Sequence, residues 1–223
     1  MISGYKAICF DMDGTLLNTK VDLGKMADLV FDEMIRSGVP ENEIDRDGGY
    51  KFNLDSGMDY LIRNGRADDI HRINERVSRA ARDIEMENAF MARPFPGAVR
   101  LLKELRKKGY KVGVLTRGCR EYAETVLRLT GTIDLLDGLV CRDDFPERDA
   151  KPSPAAMHNM ARALGVTASD ILYLGDHKFD YLCARDAGAG FIGVLSGSYG
   201  ADDWRDLGGI VMMNTIADLD PDY

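Results

Sequence analysis

From residue 92 onward, short apolar runs alternate with stretches whose apolar residues recur every three or four positions. Lys6–Asp11 near the N-terminus, then Lys111–Thr116, Gly138–Cys141, Ile171–Gly175, Phe191–Leu195 and Ile210–Met213, are rich in Val, Ile, Leu, Phe and Tyr, and several close on Gly or Asp. Runs of this kind predict strands. Between them the spacing predicts helices. Pro96-Gly97 precedes AVRLLKELRKKG, where Leu101, Leu102 and Leu105 share a face and Gly109 stops the pattern. CREYAETVLRLTG carries Tyr122, Val126, Leu127 and Leu129 ahead of Gly131. SPAAMHNMARALG opens with Ser153 as an N-cap and Pro154 in the first turn and ends at Gly165, and KFDYLCARDAG ends near Gly188. Strand–helix alternation predicts an α/β fold, a doubly wound parallel sheet covered by helices on both faces.

Residues 18–91 break that rhythm. Asp22–Ser37 places Met26, Leu29, Val30 and Met34 at helical spacing before Gly38-Val39-Pro40, and Phe52–Arg63 predicts a second, short helix. Asp69–Phe90 predicts a long one, with Ile70, Ile73, Val77, Ala81 and Ile84 in a single stripe. No strand is expected here. The segment therefore predicts a small helical domain, 18–91, inserted after the first strand of a core formed by 1–17 and 92–223. Arg93-Pro94-Phe95-Pro96 is its return hinge, since each Pro biases its predecessor toward extended backbone.

The composition, 45% hydrophobic and 30% charged over 223 residues, is that of an ordinary globular chain. The formal net charge of −8 argues against a nucleic-acid partner held by the overall field. An anionic substrate would need positive charge supplied locally, for example by a metal. Cys9, Cys119, Cys141 and Cys183 form no CxxC pair, which argues against structural zinc and for free thiols in a reducing, cytoplasmic setting. No apolar run approaches ~18 residues, so no membrane span is expected. The acid at position 11 argues against a signal peptide.

The candidate chemistry gathers at predicted strand ends. ICFDMDGTLL runs an apolar strand into Asp11 and Asp13 with Gly14 behind them. Residues two apart on a strand face the same way, and unpaired carboxylates at such a spot repel unless a divalent cation joins them. An Asp-Gly turn that merely ends the strand fits equally. Thr116, before Arg117-Gly118, offers a hydroxyl and backbone amides to a phosphate oxygen, or simply makes a turn or N-cap. Asp176 and Asp180 in GDHKFD place one acid at a strand end and a second on the next helix, either as hard ligands for Mg²⁺ or as a helix-capping pair. Lys151 in KPSP, at a helix entry, either neutralises a phosphate or carboxylate cluster or is a solvated loop residue.

Taken in order, DMDGT, LTRG, KPSP and GDHKFD resemble the four motifs of the haloacid dehalogenase-like superfamily of phosphatases, over the whole chain. The helical insert resembles that family's C1 cap, and PFPGAVRLLKELRKKG resembles phosphoglycolate phosphatase-like members. The resemblance implies a Mg²⁺-dependent phosphatase acting on a small phosphorylated metabolite, 2-phosphoglycolate or a similar phosphomonoester. By it, Asp11 is the nucleophile that becomes an aspartyl-phosphate. Asp13 is the general acid, then the base. Thr116 and Lys151 hold the phosphoryl oxygens, with Arg117 and Gly118 beside them. Asp11, the Asp13 carbonyl and Asp176 hold the metal, with Asp180 supporting it. An acid at Asp13 favours hydrolysis or transfer between phosphate esters, because a halide leaving group needs no proton.

Arg117 stands where many relatives carry Asn, and either reaches the substrate or pairs with an acid. Asn18 stands where many carry Asp. Of the histidines, His177 is expected to be no ligand, since Mg²⁺ prefers oxygen. His71 is expected at the surface, and His158 has no evident partner. The insert's cations, Arg36, Lys51, Arg63, Arg66, Arg72, Arg76, Arg79 and Arg82, are expected to be mostly solvated, with one or two available to a substrate carboxylate. The competing readings are a sugar phosphomutase resembling β-phosphoglucomutase and a non-catalytic module on the same fold. The chain is expected to be a monomer or homodimer.

Overall fold

The computed structural model describes residues 2–222. In chain order its elements are β1 (Ala7–Phe10), β2 (Leu17–Asn18), α1 (Leu23–Arg36), α2 (Gly49–Arg63), α3 (Asp69–Glu87), β3 (Arg93–Pro94), α4 (Ala98–Lys107), β4 (Lys111–Leu115), α5 (Arg120–Leu129), β5 (Gly138–Val140), α6 (Pro154–Leu164), β6 (Ile171–Gly175), α7 (Lys178–Ala187), β7 (Gly190–Val194), α8 (Ala201–Asp206) and β8 (Met212–Met213). Six strands form one parallel sheet in the order β5-β4-β1-β6-β7-β8. In the central strands, Phe10 of β1 lies beside Val114 of β4 and Leu174 of β6. Every residue of β1 and β6 is buried, as strands covered on both faces require.

Side chains of β1, β4 and β6 pack under α6 and α7 in a core that includes Ala7, Cys9, Leu115, Met157, Met160, Tyr173 and Cys183. α6 begins as its sequence dictates, with Ser153 Oγ accepting the Ala155 N–H (3.3 Å) and Pro154 in the first turn. It ends on Gly165, whose φ of 69° is the left-handed conformation that closes a helix. All four cysteines are free and buried. No helix among the described residues is long and apolar enough to cross a membrane.

The chain divides into two compact units. One runs up to Thr19 and resumes at Phe90, and the other is Lys20–Ala89. The division falls two residues inside the 18–91 segment at each end, for a reason the apolar pattern does not carry. Leu17-Asn18 pairs antiparallel with Arg93-Pro94, a two-stranded ribbon that ties both connections to the sheet unit. The ribbon is too short for an alternation to register, and it contains a Pro. The second unit is helical. Val30, Phe31, Met34, Leu54, Leu61, Ile73 and Val77 of α1, α2 and α3 make its core, with a smaller cluster of Met26, Ala81 and Ile84. The Ile70–Ile84 stripe thus packs inside its own unit. α2 is longer than the Phe52–Arg63 stretch because it starts at Gly49, a residue that propensity scales place outside helices.

Candidate active site

The strand ends of β4, β1 and β6, neighbours in the sheet, deliver the candidate residues to one edge. Asp11 follows the last residue of β1, and its N–H donates to the Leu174 carbonyl (2.8 Å). Because β1 ends at Phe10, the two-residue alternation does not extend to Asp13. Gly14 turns the chain with φ +82°, and the two carboxylates meet different partners.

Asp11 is buried beside Lys151, whose Nζ donates to Asp11 Oδ1 (2.6 Å), Asp180 Oδ1 (2.5 Å) and the Tyr173 hydroxyl (2.9 Å). An ammonium has three protons, and each has an acceptor. Burial alone would pull the Lys151 pKa down, but Asp11 and Asp180 outweigh it and hold the group well above the ordinary lysine value. The Asp11 carboxyl is pushed up by burial. Lys151 opposes that shift, and Asp180, Asp176 and Asp13 add to it.

Asp176, at the end of β6, is held by both oxygens. The Thr15 hydroxyl donates to Oδ1 (2.9 Å) and the Ser198 N–H to Oδ2 (2.6 Å). The chain closes tightly around it: a Cβ at Gly14 would lie 2.7 Å from Asp176 Oδ2, and one at Gly197 only 2.1 Å from it. Asp180, on the first turn of α7, accepts the His177 N–H at Oδ2 (3.0 Å), while Oδ1 serves Lys151 and lies 3.0 Å from the Tyr173 hydroxyl. Carboxylate oxygens of Asp11, Asp176 and Asp180 lie within 4.8 Å of one another, all buried. Three buried carboxylates face one ammonium, a charge surplus that a hard divalent cation with oxygen ligands suits. The donor set fits Mg²⁺.

Asp13 Oδ1 accepts from the Thr19 hydroxyl (2.6 Å) and the Tyr122 hydroxyl (2.7 Å). Thr116 is buried just beyond β4, where its Oγ1 accepts the Gly118 N–H (2.9 Å) and closes a tight turn before α5. A Cβ at Gly118 would come within 2.9 Å of the Tyr122 ring. Arg117 pairs with an acid: Nη2 donates to Glu147 Oε1 (2.9 Å) and Nη1 to the Lys151 carbonyl. It thereby braces the loop that carries Lys151.

His177 caps α7. Its Nδ1 accepts the Phe179 N–H (3.2 Å), and its ring meets the Phe179 and Tyr199 rings edge-on. Burial lowers its pKa against the opposing pull of Asp180 and Asp176, in keeping with a neutral ring whose Nδ1 is already used. His71 is exposed and lies 3.3 Å from Glu75, and His158 is exposed on α6. In the helical unit, Arg36, Lys51, Arg63, Arg66, Arg72, Arg76 and Arg82 each have a carboxylate partner on that unit. Arg79 is exposed and has no ion pair among the described residues.

Among the aromatic residues, Tyr122 and Tyr173 belong to the site although the sequence leaves them unmarked. Each sits at core spacing, and nothing in an aromatic stripe says which ring carries a working hydroxyl.

The profile of haloacid dehalogenase-like hydrolases matches residues 8–194. A phosphoglycolate phosphatase of Cereibacter sphaeroides is 29% identical over 196 residues, covering 82% of each chain. Among solved structures, a hydrolase from Pseudomonas syringae superposes with a TM-score of 0.65 at 24% identity, covering 96% of this chain and 95% of the other. A Thermotoga maritima protein assigned as a β-phosphoglucomutase superposes at 0.57 with 21% identity, covering 93% and 94%. The profile match takes in every candidate site residue named from the sequence, from Asp11 to Asp180, and the chain belongs to the haloacid dehalogenase-like hydrolase family.

Proposed function

We propose that the protein is a Mg²⁺-dependent phosphatase that hydrolyses a small phosphomonoester through an aspartyl-phosphate on Asp11. The observation that carries this is the buried Asp11 carboxylate, held 2.6 Å from Lys151 Nζ and grouped with the carboxylates of Asp176 and Asp180. A carboxylate so placed can act as a nucleophile toward phosphorus, provided the repulsion between two anions is offset.

In the first step an Asp11 oxygen forms a bond to phosphorus as the bond to the leaving oxygen breaks. Asp13 gives its proton to that oxygen, and the alcohol departs. Asp13 then takes a proton from water as the water oxygen attacks phosphorus, which releases phosphate and restores Asp11. Lys151 neutralises charge on the phosphoryl oxygens throughout, and the Thr116 hydroxyl, whose oxygen accepts the Gly118 N–H, donates its proton to one of them. Asp11, the Asp13 carbonyl and Asp176 would hold the cation, with Asp180 in support. When bound, it supplies positive charge that makes the approach of substrate dianion to Asp11 tolerable.

The curated relatives named phosphoglycolate phosphatase, matched over four-fifths of both chains, support 2-phosphoglycolate or a similar small phosphorylated acid as substrate. The helical unit is the proposed cap, which would exclude water and select the leaving group. Free thiols support a cytoplasmic setting.

The test is Mg²⁺-dependent phosphate release from p-nitrophenyl phosphate by the wild type and by Asp11→Asn. Turnover in the wild type and a loss of at least about a thousandfold in the variant are expected, as for removal of a nucleophile. An inactive wild type, or an unimpaired variant, overturns the proposal. A panel including 2-phosphoglycolate and hexose 1-phosphates then selects the substrate, and isomerisation of a hexose phosphate would mark a mutase instead.

A further inference from the structure

Tyr173 lies in the middle of β6 and is fully buried. Its ring packs in the core with Cys9, Leu115 and Cys183, a role that a phenylalanine would fill equally well. The hydroxyl is what needs explaining. A phenol oxygen taken out of water is costly unless it is bonded, and this one has three polar neighbours. It lies 2.8 Å from the Leu115 carbonyl at the end of β4, 3.0 Å from Asp180 Oδ1, and accepts from Lys151 Nζ at 2.9 Å. The single hydroxyl proton points to the carbonyl or the carboxylate, and a lone pair faces the ammonium.

Lys151 therefore stands on three legs: Asp11, Asp180 and Tyr173. They are not equivalent. In the proposed reaction, on which this inference rests, the Asp11 carboxylate changes its bonding as it forms an ester with phosphorus. The ammonium's N–H that faced it must then turn to a phosphoryl oxygen. Only two legs persist through that change, and one of them is neutral. A third carboxylate in place of the phenol would bind Lys151 more strongly but would also consume its positive charge. A hydroxyl fixed to β4 holds the nitrogen in place and leaves the charge for the phosphoryl group.

We propose that Tyr173 is a positioning residue, whose hydroxyl holds the Lys151 ammonium in register with the phosphoryl oxygens while Asp11 is esterified. It touches neither substrate nor reacting atom and acts through Lys151.

Tyr173→Phe in the full chain tests this. The wild type and variant are compared for turnover of p-nitrophenyl phosphate, for inhibition by orthovanadate and for the Mg²⁺ concentration giving half-maximal activity. The expected result is a kcat about tenfold lower and vanadate binding weakened by a similar factor, as loss of one charge-assisted hydrogen bond implies, with the Mg²⁺ constant unchanged. A general loosening of the fold would move the Mg²⁺ constant as well, and that result overturns the inference, as do unchanged kcat and vanadate binding. A second readout does not depend on turnover. A triply bonded, buried ammonium exchanges its protons slowly, so the wild type should show a ¹⁵N–¹H resonance for Lys151, assigned by its absence in Lys151→Arg. The variant should lose it, and a resonance that persists unaltered overturns the inference. A wild type that hydrolyses nothing yet shows this resonance, lost in Tyr173→Phe, would sink the phosphatase reading and the reacting role of Lys151 while leaving the hydroxyl's grip on the ammonium standing. If the variant does not fold, 3-fluorotyrosine incorporated at position 173 keeps the ring and makes its oxygen a poorer acceptor, and the same split is read in smaller measure.

Discussion

The hydroxyls of Thr19 and Tyr122 both donate to Asp13 Oδ1, and this fixes one edge of the carboxyl that is proposed to move protons. Tyr122 is 1% exposed on α5, so its donor is held rigidly. An acid that protonates a leaving group matters in proportion to how poor that group is. Tyr122→Phe should therefore slow turnover of an alkyl phosphate such as 2-phosphoglycolate by roughly three- to tenfold, the size of one neutral hydrogen bond. The first-turnover release of p-nitrophenolate, which leaves without a proton, should hardly change. Rapid-quench comparison of the two substrates measures this, and equal losses on both would show that Tyr122 does no more than pack. Asp11, Asp13, Lys151, Asp176 and Asp180 were legible in the sequence because each sits in a motif at a strand end or helix entry. Tyr122 and Tyr173 were not, because burial explains a tyrosine at core spacing before any hydroxyl partner is known. Arg117 was legible as a cation but not as a partner of Glu147, thirty residues away.

At the scale of elements, the alternation of apolar runs and helical stripes was enough for the parallel sheet, since each central strand is buried on both faces and each helix carries one apolar face. What the pattern could not carry was pairing between very short segments, such as Leu17-Asn18 with Arg93-Pro94, or helix ends that depend on a distant contact. α2 shows the second case. Asn53 is fully buried, accepts the Asp45 N–H (2.9 Å) and donates to the Asp45 carbonyl (2.7 Å). It therefore fixes the loop that leads into the helix. A polar residue inside an apolar pattern reads as a flaw, yet here it satisfies a backbone that has no regular partner. Asn53→Ala should destabilise the helical unit by about 1–3 kcal/mol, since two backbone groups lose their partner. Urea unfolding followed by far-ultraviolet circular dichroism gives the value, and an unchanged midpoint would show that solvent replaces the amide without cost.

For the molecule as a whole, the two units have separate cores, and the proposed metal ligands all belong to the unit that contains the sheet. That unit also holds the sole tryptophan, Trp204, which is buried and packs against Phe191 and Tyr199. Its fluorescence therefore reports unfolding of the unit in which the carboxylates lie. With three buried acids against one lysine, the folded state carries a repulsion that the unfolded chain relieves by exposing those acids to water. A cation that binds only the folded arrangement reverses the balance. At a hundredfold excess over its dissociation constant it contributes about 2.7 kcal/mol, enough to raise a transition of this size by roughly 5–10 °C. Mg²⁺ should thus raise the Trp204-reported midpoint, and excess EDTA should return it. Asp176→Asn should abolish most of the shift, because it replaces one of the three grouped carboxylates with a neutral amide. A wild type whose midpoint ignores Mg²⁺ would mean that Lys151 alone balances the site, and the proposed cation would have to be abandoned together with the path it supports.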